Sequence, residues 1–197
     1  AVGSEKDVKL PEDARTIELP GATLLPGLID AHTHVLLHPY DETSWDDQVL
    51  NEPLGLRVCR ATAHLKRILD SGFTTIRDLG TEGAGYTDVG IKKAVEQGIV
   101  PGPRMLVVTR AIVATSTYAP KDHAPENHLP KGAEEADGVE TLTRVVRDQI
   151  GRGADWIKIY ADGSVGNGTH ATFSLEELTR VVETAARLGV RVCAHAT

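Results

Sequence analysis

One pattern recurs along most of the chain: an amphipathic helix, a glycine that ends it, and a short strand rich in β-branched residues. The clearest copy has an apolar stripe over residues 54–69, then Gly72, then the strand 73–79. This alternation of helix and strand is typical of parallel βαβ construction. It predicts an α/β fold with strands at 28–35, 73–79, 104–109, 156–161 and 190–196. The intervening helices are predicted at 54–69, 89–97, 139–150 and 175–188.

Two parallel architectures suit such a pattern, a Rossmann-type sheet and a (β/α)₈ barrel. No G-x-G-x-x-G segment separates the first strand from its helix, which argues against the dinucleotide-binding sheet. A barrel of eight units takes about 250 residues. We therefore predict that residues 26–197 form the first five β/α units of a TIM-type barrel. The remaining units would lie in a longer protein or in another chain.

Residues 1–25 follow a different pattern. Three short strand-like segments, 8–10, 16–19 and 22–25, are separated by Pro11 and by the turn Pro20-Gly21. Two or three such strands cannot bury a core unaided. We expect them to belong to a small β-domain whose other strands come from elsewhere.

Charge and cysteine content exclude several classes of protein. The net charge is −7 and the basic residues are scattered, so a nucleic-acid partner is not expected. Cys59 and Cys193 form no C-x-x-C motif, which favours a reducing, cytoplasmic compartment. No apolar run reaches the length of a membrane span, so no membrane partner is expected either.

The first predicted strand ends in two histidines. Side chains two apart on a strand point the same way, so Asp30, His32 and His34 share one face. Two imidazoles at a strand terminus suit two ligands of one metal ion. A His-x-His pair also arises by chance in a chain with eight histidines, so its setting decides its meaning.

That setting is the carboxyl end of the predicted strands, where the functional groups of a barrel gather. Lys158 and His195 lie near those ends as well. A lysine inside a barrel is costly when charged, and desolvation makes its neutral amine accessible. A neutral amine can add carbon dioxide to become a carbamate, whose two oxygens can bridge two metal ions. The alternative is a lysine that reaches a carboxylate or solvent at the rim.

Three segments together resemble the amidohydrolase superfamily, particularly its imidazolonepropionase-like and prolidase-like metal-dependent peptidases. They are Pro26-Gly27-Leu28-Ile29-Asp30-Ala31-His32-Thr33-His34, the strand that contains Lys158, and Cys193-Ala194-His195-Ala196-Thr197. The resemblance implies that residues 1–25 are part of a small flanking β-sandwich. It also implies that His32 and His34 bind one metal ion, Lys158 bridges as a carbamate, and His195 binds the second ion. Nitrogen and oxygen ligands suit zinc.

The activity that this resemblance implies is hydrolysis of an amide or peptide bond by a metal-bridging hydroxide, as in an Xaa-Pro dipeptidase or a carboxypeptidase. Lys158 and His195 would be the catalytic residues of this chain. The family also uses a histidine from the sixth strand and an aspartate from the eighth, and neither is in the sequence, so the chain alone should be catalytically incomplete. A cyclic-amide hydrolase of imidazolonepropionase type, with one metal, and a non-catalytic metal-binding fragment are the alternatives.

The predicted substrate is a small molecule or a dipeptide, and residues for it are expected in the segment 110–137. This segment lacks helical periodicity and follows the third strand, so it would cover the mouth of the barrel. Tyr118, His123 and His128, together with Lys121, are candidates to hold a substrate carboxylate, although a solvated surface loop is equally compatible. The glycine-rich segment 162–170 should also lie near the site. An open set of five strands exposes apolar edges, which favours association into a homo-oligomer.

The sequence contains two further polar residues whose role near the predicted site has to be interpreted. His64 falls within the helix 54–69 and is expected to be structural. Asp78 ends the second predicted strand and is a candidate to support a metal ligand through a hydrogen bond.

Overall fold

The computed structural model describes residues 3–4, 6–9, 11–165 and 168–196. Parallel strands form its framework. The first three, β1 (Leu28–Thr33), β2 (Phe73–Asp78) and β3 (Arg104–Val107), make one sheet in that order. A second sheet has the order β5-β4-β6-β9 and is also parallel throughout. Its strands are β4 (Ile112–Val113), β5 (Glu134–Glu135), β6 (Trp156–Tyr160) and β9 (Arg191–His195).

The two sheets meet where the third predicted strand is broken. Thr109 has a φ of 66°, a left-handed conformation that interrupts an extended strand. The chain therefore pairs with β2 before this residue and with β6 after it. The Asp155 N–H donates to the carbonyl of Val107 at 2.8 Å, which joins the two sheets at this point. All five predicted strand positions are confirmed. Within the described ranges they form an open row of parallel strands.

The first strand ends earlier than predicted. β1 stops at Thr33 rather than at Val35, and its pairing with β2 becomes irregular between Asp30 and Thr33. The Val35 N–H donates to the Asp78 carboxylate at 3.1 Å instead of continuing the ladder. His34 therefore lies in the turn that follows the strand.

In the described ranges, the strands are accompanied by five helices: α1 (Trp45–Leu50), α2 (Leu54–Asp70), α3 (Thr87–Glu96), α4 (Val139–Gly151) and α5 (Leu175–Arg187). The last four confirm the predicted helices to within a few residues. A capping box begins α5, with Ser174 and Glu177 bonded to each other's backbone. The stripe predicted on α2 is partly wrong, because Leu54 is exposed while Arg57 is buried.

The core forms two clusters of buried apolar side chains. In one, Ile157 and Ile159 of β6 pack against α4 and α5, as their alternation with Lys158 predicts. In the other, Leu65 of α2 packs with Ile76 of β2 and Met105 of β3. The helices thus cover the outer face of the strands, and the opposite face carries the polar residues discussed below.

The described residues before Leu28 contain no strand. The strands predicted at 16–19 and 22–25 are therefore absent, and the segment predicted at 8–10 includes Leu10, which lies outside the described residues. Ile17, Leu24 and Leu25 are 69%, 87% and 65% exposed. Short strands need ladder partners, and the described part of the chain supplies none. The assignment of 1–25 to a small β-domain stays a prediction.

The architecture is thus an α/β fold with parallel sheets. An antiparallel hairpin, β7 (Asp162–Val165) and β8 (Gly168–Ala171), follows β6. Among the described residues, no helix combines the length and the apolar character that a membrane crossing requires.

Candidate metal centre and adjoining cavity

The two histidines of the His-x-His pair lie side by side at the carboxyl end of β1. Their ring centroids are 5.4 Å apart and the ring planes are inclined by 57°. His32 is on the strand, and its backbone N–H donates to the Asp30 carboxylate at 3.0 Å. The irregular turn after Thr33 therefore brings both imidazoles to one edge of the sheet.

The tautomer of His34 is fixed by the backbone. Its Nδ1 lies 3.0 Å from the carbonyl oxygen of Gly80. A carbonyl can only accept, so Nδ1 carries the proton and the lone pair of Nε2 is left for a metal ion. Gly80 has a φ of 145°, a conformation that favours glycine and that sets the direction of this carbonyl.

Lys158 lies at the middle of β6, with a side chain only 1% exposed. Its Nζ is 5.2 Å from the centre of the Tyr160 ring. No hydrogen bond or salt bridge joins its amine to another of the described residues. Burial lowers the pKa of this amine, which favours its neutral form. A buried amine without a partner fits the carbamate chemistry predicted for this position better than a rim lysine bound to a carboxylate.

His195 ends β9, directly opposite Tyr160 of β6. The two rings are stacked, with centroids 4.8 Å apart and planes inclined by 19°. Burial lowers the pKa of His32, and the positive charges of Lys158, His34 and His195 lower it further. The four predicted ligands are therefore close enough to influence one another.

These side chains do not yet make a complete metal site. The described residues contain no set of three or more His, Cys, Asp or Glu side chains that could hold an ion by themselves. A lysine carbamate would add two oxygen ligands to this set. The geometry thus fits a partial ligand set, in which the histidine pair and His195 lie at the carboxyl ends of their strands and Lys158 lies two residues before the end of β6.

A cavity of about 500 Å³ adjoins the centre. Three aromatic side chains line it in a row: Trp45 and Tyr118 have ring centroids 5.1 Å apart, and Tyr118 and Tyr160 are 4.9 Å apart. Burial raises the pKa of Tyr118 and of Tyr160, so both hydroxyls stay protonated. His195 also lines the cavity, and it is the predicted ligand through which the cavity reaches the metal centre.

The structure brings only part of the predicted substrate set to this cavity. Tyr118 and Lys121 line it. His123 and His128 are exposed on the same loop and do not line it. The glycine-rich segment contributes Gly163 and other residues of the β7–β8 hairpin, whereas its tip, 166–167, lies outside the described residues.

Sequence reasoning missed Glu82, which is 2% exposed beside this centre. Its Oε2 accepts hydrogen bonds from Trp45 Nε1 at 2.9 Å and from the Tyr118 hydroxyl at 2.8 Å. Its Oε1 lies 3.5 Å from Nδ1 of His34. One signal could have found it: Glu82 lies in the loop that follows β2, and barrel functional groups gather in the loops at this end of the strands.

Asp78 and His64 lie close to His34. Asp78 is fully buried and binds the Val35 N–H, so it holds the turn that carries His34. Burial and the negative charge of Asp88 raise the pKa of Asp78. His64, with a pKa that burial lowers, lines a separate cleft of about 360 Å³ together with His34.

Comparison with known proteins shows which family and which relatives this chain resembles. Residues 23–197 match the model of the Amidohydrolase family. The chain is 34% identical over 223 aligned positions to ochratoxinase from Aspergillus niger, covering 98% of this chain and 43% of that enzyme. The chain thus spans less than half the length of this relative.

Solved structures agree with the sequence relatives. A prolidase complexed with N-methylphosphonate-L-proline has a TM-score of 0.68 at 30% identity, over 92% of this chain and 47% of that one. The A. niger ochratoxinase structure has a TM-score of 0.68 at 30% identity, over 87% and 42%. A Xaa-Pro dipeptidase with bound methionine in its active site has a TM-score of 0.67 at 26% identity, over 87% and 43%. This chain belongs to the amidohydrolase family.

Proposed function

We propose that the chain supplies the first five units of a (β/α)₈ barrel in a metal-dependent hydrolase of amide bonds. The observation that carries this proposal is the proximity of His32 to His34, Lys158 and His195, with the amine of Lys158 buried and without a hydrogen bond to the described residues. Membership of a family that is generally metal-dependent supports it. The flanking β-sandwich for residues 1–25 is part of the same proposal.

The donor set fits two divalent ions, with zinc the expected metal. His32 and His34 would hold one ion, His195 the other, and Lys158 as a carbamate would bridge them. Two such ions lower the pKa of a bound water and polarise the amide carbonyl that it attacks.

The residues of this chain prepare the site in specific ways. The Gly80 carbonyl keeps Nε2 of His34 free for the metal. Burial lowers the pKa of the Lys158 amine and favours its neutral form, whose nitrogen lone pair can add carbon dioxide, and one proton is released as the carbamate forms. The histidine and the aspartate that the family takes from the sixth and eighth strands would come from outside this sequence. The aspartate would carry the proton to the leaving amine.

The proposed substrates are dipeptides or N-acyl amino acids, as for an Xaa-Pro dipeptidase or a carboxypeptidase. Two related structures support this class, since one holds an L-proline phosphonate and another a methionine. Lys121 at the cavity is the best-placed cation for a substrate carboxylate. For His123 and His128 this role would require the loop to move.

The test uses the whole protein that carries this chain and a panel of Xaa-Pro dipeptides and N-acyl amino acids. Hydrolysis should be lost on chelation, restored by zinc, and reduced by more than about a hundredfold in His32→Asn. The exposed His170→Asn serves as the matched control. Activity that survives chelation would refute metal dependence. Opening of cyclic amides alone, with one ion bound, would favour the imidazolonepropionase type, and metal binding without turnover would identify a non-catalytic homologue.

A further inference from the structure

Glu82 connects three separate parts of the chain. Its carboxylate accepts hydrogen bonds from Trp45 of α1 and Tyr118 of the 110–137 loop, and it faces His34 after β1. A carboxylate that is 2% exposed must have its lone pairs satisfied, because a buried charge without partners is costly. Trp45 Nε1 and the Tyr118 hydroxyl both donate to Oε2 and so satisfy its lone pairs. These hydrogen bonds also hold both aromatic side chains in place.

The backbone at Glu82 is itself tightly held. Arg57, which is 3% exposed, donates to the carbonyls of Leu36, Thr81 and Glu82 at 3.0, 3.0 and 2.7 Å. Glu82 has a φ of 49°, which is uncommon for a residue other than glycine. A residue in such a conformation persists when its surroundings fix it, and such positions cluster at functional sites.

The aromatic side chains held by Glu82 form one wall of the cavity. We call Trp45, Tyr118 and Tyr160 the aromatic wall, and His195 stacks on its inner end. Gly132 lies against the wall on the loop side: a Cβ there would be 2.4 Å from Cζ2 of Trp45 and 3.0 Å from Cε1 of Tyr118. The Gly83 N–H donates to the Gly132 carbonyl at 2.9 Å, so the loop is tied to the segment that carries Glu82.

We propose that Glu82 is a positioning residue that fixes the aromatic wall, and that this wall gives the site a preference for substrates with a flat apolar ring beside the scissile amide. The proposal rests on the amide hydrolase activity proposed above and adds its substrate class. Aromatic rings favour offset or edge-to-face contact with a second ring. The wall offers such faces next to His195, where the amide must lie for hydrolysis.

The kinetic test compares N-benzoyl-alanine with N-acetyl-alanine on the whole protein. In Tyr118→Phe, which keeps the ring and removes the donor, KM for the benzoyl substrate should rise about tenfold. KM for the acetyl substrate should rise much less, so the ratio of kcat/KM for the benzoyl substrate to kcat/KM for the acetyl substrate should fall. Glu96→Gln, an exposed carboxylate on α3, is the control. Equal losses on both substrates would overturn the ring preference.

The role of Glu82 is separated from a merely structural one by two further variants. Glu82→Leu removes the acceptor, whereas Glu82→Gln keeps an oxygen at the position of Oε2 and should restore most of the binding of N-benzoyl-alanine. Tyr118→Phe should cost nothing more in the Glu82→Leu background, since the hydrogen bond is already lost. Additive effects would overturn the proposal. If Glu82→Leu does not fold, Glu82→Ala, which also removes the acceptor of the Tyr118 hydroxyl, replaces it in the cycle.

A measurement without turnover distinguishes failure of this proposal from failure of the proposed function. Hydrogen exchange of the loop amides between 115 and 132 should be faster in Tyr118→Phe than in the parent protein or in Glu96→Gln. Binding of N-benzoyl-alanine, followed by tryptophan fluorescence, should weaken about tenfold in the same variant. Unchanged exchange and unchanged binding would refute the positioning role even in a protein that hydrolyses nothing.

Discussion

At the scale of single residues, burial decides which ionic form each functional group takes. Lys158 and Asp78 are both buried, and Oδ2 of Asp78 lacks a hydrogen bond to the described residues. Burial shifts their pKa values in opposite directions, lowering that of the amine and raising that of the carboxyl group. Both groups are driven toward neutrality. For Lys158 the neutral form is also the reactive one.

The buried carboxyl group of Asp88 should make the free energy of unfolding depend on pH. It is fully buried, it accepts the Thr109 N–H at 2.8 Å, and burial raises its pKa from 3.8 to about 6. Because the pKa is higher in the fold, the contribution to stability is complete below pH 3.8 and is lost as the pH rises through 6. The loss is about 3 kcal/mol in the free energy of unfolding. Asp88→Asn cannot ionise and should remove this decline.

Urea unfolding of the chain at pH 4, 5, 6 and 7 checks that expectation. The exposed Asp70→Asn is the control and should keep the slope of the parent protein. Parallel slopes in Asp88→Asn and the parent would show that Asp88 does not titrate in this range.

The metal ligands that the sequence predicted share one property: they belong to regular strands or directly follow one. Alternation and strand order place His32, Lys158 and His195 without knowledge of any loop. Glu82 and Trp45 could not be predicted this way. Their contacts depend on a left-handed backbone at Glu82 and on a loop whose path is set by distant hydrogen bonds.

At the scale of elements, the glycine in the Pro26-Gly27 pair is explained by packing. A Cβ on Gly27 would lie 2.0 Å from Oγ1 and 2.3 Å from Cγ2 of Thr74 on β2. The close approach is to a short side chain that has little room to move. Gly27 therefore allows β1 to begin its pairing at Leu28 opposite Phe73.

Gly27→Ala should destabilise the chain by about 1–3 kcal/mol, since overpacking forces the strands apart. Gly55→Ala is the matched control: it lies in α2 with nothing within 4 Å of an added Cβ, and it should stabilise by up to about 1 kcal/mol. Denaturant unfolding of both variants checks the pair. A neutral Gly27→Ala would mean that the spacing of β1 and β2 is not fixed at this point.

Elements with a strong apolar periodicity could be predicted from the sequence. Elements that form only beside a neighbouring strand could not. Helices α2, α4 and α5 carry repeated apolar positions that bury against the sheet. The six residues of α1 are too few to show a period. Strands β4 and β5 have two residues each, and they form only because β4 pairs with β6 and β5 pairs with β4. The strands predicted before residue 26 have the right alternation but no ladder partner among the described residues.

At the scale of the whole molecule, the open row of strands leaves apolar surface exposed. Ile17, Leu24, Leu25 and Ile29 are 69%, 87%, 65% and 70% exposed near the start of β1. Exposed apolar surface marks an interaction site or an aggregation liability where it is contiguous. In the proposed barrel, this side would be covered by the last units and by the small β-domain.

The isolated 197-residue chain should therefore self-associate as its concentration rises. Sedimentation velocity between low and high micromolar protein tests this, with Leu24→Ser plus Leu25→Ser expected to weaken the association. Ile99→Ser, which removes an equally exposed side chain at the end of α3, should leave it unchanged. A monomer at every concentration would show that this surface is not an interface.

Lys158 is proposed to bridge two metal ions as a carbamate, and counting metal tests this proposal most directly. The whole protein is prepared with bicarbonate, and its metal content per chain is measured by elemental analysis beside Lys158→Ala and the exposed-face control Lys66→Ala. About two zinc-like ions are expected in the parent and in Lys66→Ala, and fewer in Lys158→Ala. One ion or none, unaffected by the loss of Lys158, would contradict it.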